Sequence, residues 1–213
     1  MKRAIVTALV MFLGLTGTAF AQNQSVDASF GVDTDPAGFS KRTATPKFGL
    51  SYSYQWDNGF NLGASLSTSQ KAFGEQKVTD TSNTKRTIWG GMVDENQEIK
   101  AGYKYNIWGP VTVGAQAAVG YRETYQYNYP YYALYGNADV KINDSWTWNA
   151  VSYRYRTSFD KALYGWNSQQ LTTGVTYKIN NSYSVYAKVN RGYSENWKTA
   201  SSNGAAVGIK INF

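Results

Sequence analysis

Apolar and polar side chains alternate in ten segments of the chain. Near the C-terminal end, Val207, Ile209 and Ile211 fall on one side of an extended strand, and polar or small residues fall on the other. The same period of two recurs in segments 26–30, 48–56, 60–66, 99–107, 111–121, 132–142, 146–158, 171–179, 183–189 and 203–213. The pattern therefore predicts an all-β protein of ten strands.

The links between these segments alternate between short and long. Tight turns are predicted at 57–59, 108–110, 143–145 and 180–182, and Asn58-Gly59 is a typical turn pair because both residues readily adopt positive φ. The longer, polar links lie near 33–44, 72–95, 159–168 and 194–203, and only the link near 128–130 departs from the alternation. This arrangement is typical of a transmembrane up-and-down antiparallel β-barrel, with both chain ends on the periplasmic, short-turn side.

The seventh segment contains a change of phase. Trp146 and Trp148 fit one alternation, whereas Tyr153 and Tyr155 fit the other. A β-bulge near Asn149 would reconcile the two phases, because a bulge adds one residue to one strand of a pair.

The strand count has one alternative. Segments 76–81 and 84–92 could pair as an extra hairpin, so a barrel of twelve strands stands beside one of ten. A second alternative is a soluble β-sandwich or a lipocalin-like barrel, in which the apolar face would point inward. Aromatic residues near the predicted turns favour the membrane barrel, since they would lie at the membrane interface: Trp56, Phe60, Tyr105, Trp108, Trp146, Trp148, Tyr177 and Tyr183.

The first 21 residues have the three parts of a secretory signal peptide. A charged start at Lys2 precedes an apolar stretch over 4–15, and the small-x-small sequence at 19–21 provides a cleavage site. The apolar stretch is too short for a membrane-spanning helix. We therefore expect an exported protein whose mature chain, 22–213, begins at Gln22 and forms one barrel domain in the outer membrane.

Aromatic residues are abundant, and the chain ends on one of them. It contains 18 Tyr, 7 Trp and 9 Phe, while no apolar run after the signal peptide reaches the length of a membrane helix. A strand that ends in Phe213 resembles the closing strand of bacterial outer-membrane barrels. The resemblance implies that the barrel-assembly machinery recognises this end, and outer-membrane lipid is the expected surrounding.

The polar phase of the strands is rich in basic residues. If the apolar face meets lipid, the residues predicted to line the lumen and bind solute are Lys47, Lys100, Lys104, Arg122, Lys141, Arg154, Arg156, Lys178, Lys188 and Lys210. The acidic residues in the same phase are Asp27, Asp33, Glu98 and Asp139. Such an excess of cations would attract small anionic solutes, because a low-dielectric wall focuses the field.

An open and a closed lumen are both compatible with this pattern. Small barrels often fill their interior with ion-paired side chains and act as structural or surface-interaction (adhesin-like) proteins. Many predicted inward positions are small, however, and would leave room for water or a solute: Gly49, Ser51, Ser53, Gly63, Ser65, Ser67, Gly102, Gly114, Gly120, Gly174 and Gly208. A porin for passive diffusion is the favoured interpretation, and a closed barrel is its alternative.

Residues from about 97 to 213 resemble the small oligogalacturonate-specific porins, the KdgM-type family, which includes sialic-acid channels. The resemblance rests on K-I-N-D-S-W at 141–146, V-S-Y-R-Y-R at 151–156, and G-V-T-Y-K-I-N-N-S-Y-S-V-Y-A-K at 174–188, with the terminal strand. It implies a twelve-stranded barrel whose basic residues line an anion-selective channel for acidic sugars. On the matching motif, Arg154 and Arg156 correspond to inward arginines.

The residue inventory argues against an enzyme. The chain has no His and no Cys, so neither a Ser–His pair nor a His/Cys metal site can be assembled. Carboxylate pairs remain, Asp94 with Glu95 or Asp33 with Asp35, although loop carboxylates are usually only solvated. The net charge of +7 is dispersed along strands rather than clustered. We therefore expect no cofactor, no metal and no nucleic-acid partner.

Overall fold

The chain forms a closed, ten-stranded antiparallel β-barrel. The computed structural model describes residues 23–34, 45–70, 75–79, 85–89, 93–124, 128–160, 167–194 and 200–213. The strands in these ranges are β1 Gln24–Thr34, β2 Thr45–Gln55, β3 Phe60–Gln70, β4 Glu75–Thr79, β5 Lys85–Trp89, β6 Val93–Trp108, β7 Val111–Glu123, β8 Asn128–Lys141, β9 Trp146–Ser158, β10 Ser168–Lys178, β11 Tyr183–Ser194 and β12 Ala200–Asn212. No helix in the described ranges is long and apolar enough to span a membrane.

Each barrel strand pairs with its neighbours in a meander, and the ring closes between the first and last strands. Its order is β1-β12-β11-β10-β9-β8-β7-β6-β3-β2, and β1 pairs with β12 from Ser25↔Asn212 to Thr34↔Asn203. The strands β4 and β5 pair with each other in a separate two-stranded sheet between β3 and β6. The ten-stranded barrel is therefore confirmed, and the twelve-stranded alternative is wrong because the extra hairpin stays outside the ring.

The predicted tight turns lie at one end of the barrel, called here the short-turn end. Side-chain amides form hydrogen bonds in all four of them, and two of the turns share one arrangement. The Asn143 Oδ1 accepts from the backbone N–H of Trp146 (2.8 Å), and the Asn180 Oδ1 accepts in the same way from Tyr183 (2.8 Å). Gly59 supplies the positive φ of 90° that the turn between β2 and β3 requires. The other end, where the longer links begin, is called the long-loop end.

The apolar face of the strands points outward, as the membrane interpretation requires. Phe30 is 47% exposed, Leu134 51% and Val207 57%, although each lies in the middle of a strand. Aromatic rings contact one another near the short-turn end, with centroids 5.1 Å apart for Trp56–Phe60 and 4.8 Å for Trp146–Tyr177. The outer surface therefore carries the apolar band and aromatic girdle of a barrel embedded in lipid.

The predicted β-bulge lies in β9. Ala138 pairs with Val151 whereas Asp139 pairs with Asn149, so Ala150 has no partner on β8. The Thr173 hydroxyl on β10 donates to the Asn149 carbonyl (3.1 Å), which stabilises the backbone where the ladder is interrupted. Trp148 and Val151 are consequently both exposed on the outer face, and the residues after the bulge keep their apolar side outward.

Several strands begin earlier than the alternation predicts. The strand β6 starts at Val93 and β8 at Asn128, and β10 and β12 also extend into segments interpreted as links. Most of these extra residues are polar, because the ends of strands project beyond the apolar band and no longer need an outward apolar side chain. The signal peptide predicted over 1–21 and Asp35 lie outside the described residues.

Candidate functional site in the barrel lumen

Eight of the ten predicted lumen residues lie on the inner face, because they alternate along their strands with residues that are exposed on the outer face. These eight are Lys47, Lys100, Lys104, Arg122, Arg154, Arg156, Lys188 and Lys210. The other two lie at the short-turn rim. Lys141 is exposed and its Nζ is 2.7 Å from the Asp144 Oδ1, while Lys178 is the exposed last residue of β10.

The inner face of β6–β9, called here the packed wall, is filled by large side chains. Tyr129 and Tyr131 are the largest side chains that are fully buried, and Ala118 and Ala133 pack with them. These residues form the main buried cluster of the described chain, and it lies inside the barrel. Burial inside a barrel normally requires polar groups to find partners, and the packed wall provides them.

Glu98 is the centre of the packed wall. Its carboxylate is buried and accepts hydrogen bonds from the hydroxyls of Tyr131 (2.8 Å) and Tyr135 (2.6 Å). It also pairs with Lys100 (3.2 Å) and lies 3.8 Å from the Arg156 guanidinium. Because these partners come from β6, β8 and β9, one carboxylate joins three of the four strands of this wall.

The cations of the packed wall rest on aromatic rings as well as on carboxylates. The Arg156 guanidinium lies 4.6 Å from the Tyr131 ring centroid, and the Lys100 ammonium lies 4.7 Å from that of Tyr135. Arg156 also donates to the Asn96 Oδ1 (2.8 Å). Each of these two side chains is thus held by at least two partners, which limits its freedom to reach a solute.

Arg122 forms a second ionic contact nearer the long-loop end. Its Nε donates to the Asp94 Oδ1 (2.9 Å), and its Nη1 donates to the Tyr129 hydroxyl (3.2 Å). The sequence interpretation placed Asp94 in a link and was wrong, because β6 begins at Val93 and turns this carboxylate inward. The inward acidic set therefore has five members rather than four.

Arg154 differs from the other arginines of this wall. It makes no ion pair with a carboxylate of the described residues, and its Nε, like that of Arg156, is buried without a hydrogen-bond partner there. On the neighbouring strands it pairs with Tyr135 and Gln170. Its positive charge is therefore less compensated by direct contacts than that of Arg122 or Arg156.

The inner face of β1–β3, called here the serine wall, has small side chains instead. Its inward residues include Ser29, Gly31, Gly49, Ser51, Ser53, Gly63, Ser65 and Ser67. Ser51, Ser53 and Ser65 are partly exposed, and Ser67 is exposed. Among the described residues, the ion pair of this wall joins Lys47 and Asp33 near the long-loop end. The water-accessible part of the lumen therefore follows the serine wall.

Not every inward glycine leaves space. A Cβ on Gly120 would lie 2.6 Å from the Tyr131 ring and 2.6 Å from the Gln97 carbonyl oxygen. The ring of Tyr186 likewise covers Gly208 on the adjacent strand. The prediction that these two glycines make room for water or solute is wrong, since each makes room for a tyrosine of the protein.

The Asp94–Glu95 pair considered from the sequence does not form, and Asp35, the predicted partner of Asp33, lies outside the described residues. Asp94 faces inward to Arg122, whereas Glu95 is in the opposite phase and accepts from Gln97 (2.8 Å). Asp33 pairs with Lys47. In the described ranges, no three His, Cys, Asp or Glu side chains are grouped to hold a metal ion.

Comparison with protein-family models and with curated proteins finds no match. Among solved structures, the β domain of the Bordetella autotransporter BrkA aligns with a TM-score of 0.58 and 11% identity, over 91% of this chain and 100% of that one. The NanC porin aligns with a TM-score of 0.52 and 11% identity, over 88% and 100%. The KdgM porin has a TM-score of 0.45 and 15% identity, over 89% and 99%. The likenesses to the BrkA β domain and the NanC porin show the fold of an outer-membrane barrel, and the weak resemblance to small porins is confirmed at that level.

Proposed function

We propose that this protein is an outer-membrane channel for passive diffusion of small, preferentially anionic solutes such as acidic sugars or oligosaccharides. The observation that carries the proposal is the exposed Ser67, which faces the inside of a closed ring of strands. Ser67 lies three residues before the end of β3, so its exposure supports an opening of the lumen at the long-loop end. Partial exposure of Ser51, Ser53 and Ser65 continues this accessible space along the serine wall.

The preference for anions follows from the inward charges. The eight basic residues on the inner face stand against five inward carboxylates when Asp94 is added to the acidic set. In the described ranges, Lys104, Arg154, Lys188 and Lys210 make no ion pair with a carboxylate. Unpaired cations in a narrow space with low-dielectric walls raise the local concentration of anions and exclude cations.

A closed structural or surface-interaction barrel is the second candidate, and the packed wall favours it. Tyr129, Tyr131, Glu98 and Arg156 are all buried, so this side of the lumen is filled. Many small barrels are filled in this way across their whole interior and conduct little. The two candidates differ in whether the space along the serine wall continues from one end to the other.

The proposal includes export to the outer membrane and excludes a catalytic role. A mature chain beginning at Gln22 would meet lipid with its apolar band, and Phe213 would be recognised by the assembly machinery. The Phe213 backbone N–H donates to the Gln24 carbonyl (3.0 Å), so this residue continues the closing pair of strands. Phe213→Ala should lower the yield in the outer-membrane fraction more than Phe60→Ala, and equal yields would contradict recognition of the terminal Phe.

The channel itself is tested by conductance of the refolded protein in planar lipid bilayers. Reversal potentials in a potassium chloride gradient should show anion preference, and Arg154→Glu should move it toward cations. Lys85→Glu is the matched control, because Lys85 lies in the β4–β5 hairpin, outside the ring of barrel strands. Absence of conductance would support the closed barrel. Conductance without anion preference would refute the proposed selectivity.

A further inference from the structure

Three lysines approach one another in the short-turn half of the lumen. Lys104 lies four residues before the end of β6, Lys210 two residues before the end of β12, and Lys188 five residues after the start of β11. The strands β6 and β11 stand opposite each other in the ring, five strands apart in either direction. This set of residues is called here the lysine cluster.

A chain of contacts on one side of the lumen connects two of the three lysines. The Lys188 ammonium lies over the Tyr186 ring, the Tyr186 hydroxyl donates to Asp27, and Asp27 pairs with Lys210 in the register of β1 and β12. Lys104 faces them from the opposite strand at a matching distance from the short-turn end, so the three side chains extend into one region of the lumen. Each of the three is in the inward phase and partly exposed, so water reaches this region.

The two nearby carboxylates are bound to uncharged donors. Asp27 accepts a hydrogen bond from the Tyr186 hydroxyl (2.8 Å), and Asp139 accepts from the side-chain amides of Asn137 (3.0 Å) and Asn149 (2.9 Å). Asp27 stands opposite Lys210 in the register of β1 and β12, yet neither carboxylate forms an ion pair with Lys188 or Lys210 in the described part of the chain. Three cations thus stand against two anions that are fixed at the walls.

The ammonium groups retain donors for a ligand. The Lys188 Nζ lies 4.1 Å from the Tyr186 ring centroid, a contact that uses its charge but no hydrogen-bond acceptor. Each lysine offers three N–H donors on a flexible stem. Such a group can adjust to a compact oxyanion more easily than the planar guanidinium of an arginine that is held in place. By contrast, Arg122 and Arg156 would have to leave Asp94 or Glu98 before they could bind a solute.

We propose that the lysine cluster is a binding site for a compact, multivalent oxyanion of the phosphate type. A chloride ion can engage one ammonium at a time, whereas a group with several charged oxygens can bridge two or three of them. The site rests on the proposed channel for access from both ends. At this site, in the short-turn half of the lumen, the channel would distinguish multivalent from monovalent anions. The arginines that are paired with carboxylates lie elsewhere in the lumen.

The test is inhibition of the chloride current by inorganic phosphate at constant ionic strength. Phosphate should reduce the wild-type current saturably, and Lys188→Gln or Lys210→Gln should raise the half-inhibiting concentration about tenfold, the expected loss for one charge-assisted hydrogen bond. Lys47→Gln is the control, because that ammonium is already paired with Asp33 near the opposite end of the lumen. Equal inhibition in wild type and in both cluster variants would overturn the site while leaving the channel intact.

A second measurement keeps the inference testable if the channel proposal fails. The chain has no Cys, so Lys188→Cys places a single thiol in the cluster. A positively charged methanethiosulfonate reagent should restore phosphate inhibition, and a negatively charged one should not. If wild type does not conduct, calorimetric titration of the folded barrel with inorganic phosphate replaces the current. Heat of binding that is lost in Lys188→Gln supports the site, and absence of binding in wild type overturns it.

Discussion

The packed wall and the serine wall are built on the same alternation of inward and outward residues, yet they produce different interiors. Ser65 and Glu98 are paired neighbours on β3 and β6, and they mark the boundary between the two walls. Glu98 is buried among four partners, whereas Ser65 is partly exposed to the lumen. The alternation therefore decides which side chains face inward, but their volume and charge decide whether that side of the lumen is protein or water.

The packed wall has the role that a hydrophobic core has in a soluble domain. Its contacts are hydrogen bonds and ion pairs between buried groups, so they are specific in geometry and costly to break singly. The serine wall contributes closure of the sheet and little side-chain packing. The following predictions compare the stability of variants on the two walls.

The largest effect is expected at the boundary pair. Glu98→Gln leaves Lys100 and Arg156 without their shared countercharge, and removing one member of a buried ionic network costs about 3 kcal/mol. Ser65→Ala, at the adjacent position, should change the free energy of unfolding by no more than about 0.5 kcal/mol. Urea unfolding of the refolded barrels in lipid vesicles measures both. Similar losses in the two variants would show that the walls do not differ in stability.

An intermediate effect is expected from adding one methyl group to each wall. Gly120→Ala places a Cβ 2.6 Å from the Gln97 carbonyl oxygen and from the Tyr131 ring, and relief of such overpacking costs about 1–3 kcal/mol. Gly49→Ala meets only the Ser29 side chain, whose hydroxyl can rotate away. This second variant should be neutral or stabilised by about 0.5 kcal/mol through lower entropy of the unfolded chain. The same urea titration applies, and a destabilised Gly49→Ala would contradict an open serine wall.

The smallest effect is expected at the short-turn rim, outside both walls. The bond from the Lys141 ammonium lowers the pKa of the Asp144 carboxyl below its ordinary value. A carboxyl with a lowered pKa stabilises the fold above its unfolded pKa and loses that contribution as the pH falls through its folded pKa. Because Asp144 is fully exposed, Asp144→Asn should follow the wild-type profile of unfolding midpoint from pH 7 to pH 3. A divergence between the profiles in the acid range would refute this expectation.

The fold could be predicted from the sequence because lipid demands an apolar side chain at every second outward position. That demand made ten barrel strands, the tight turns and the bulge near Asn149 visible in the pattern. The demand for outward apolar residues ends where the strands leave the apolar band. For this reason the alternation did not show the start of β6, and Asp94 was assigned to a link.

The contacts inside the lumen were less predictable, since polar residues facing inward are under no comparable periodic constraint. The inward phase of β8 does contain Tyr129, Tyr131 and Tyr135, and a run of large aromatic residues in a phase predicted to be polar was the available signal for the packed wall. Their partners could not be found in the same way. Glu98 and Arg156 are 58 positions apart, and only the order and register of the strands bring them together.

The bulge in β9 has a consequence for how this strand tolerates change. Ala150 is an extra residue in the alternation of β9. Every residue from Val151 onward therefore faces the side opposite to the one that an uninterrupted alternation from Trp146 would assign. Deleting this single small residue, with no charge lost or gained, would turn Arg154 and Arg156 toward lipid, at about 2–4 kcal/mol for each arginine at the membrane midplane. In this part of the barrel the length of the chain is therefore as strictly constrained as the identity of any side chain.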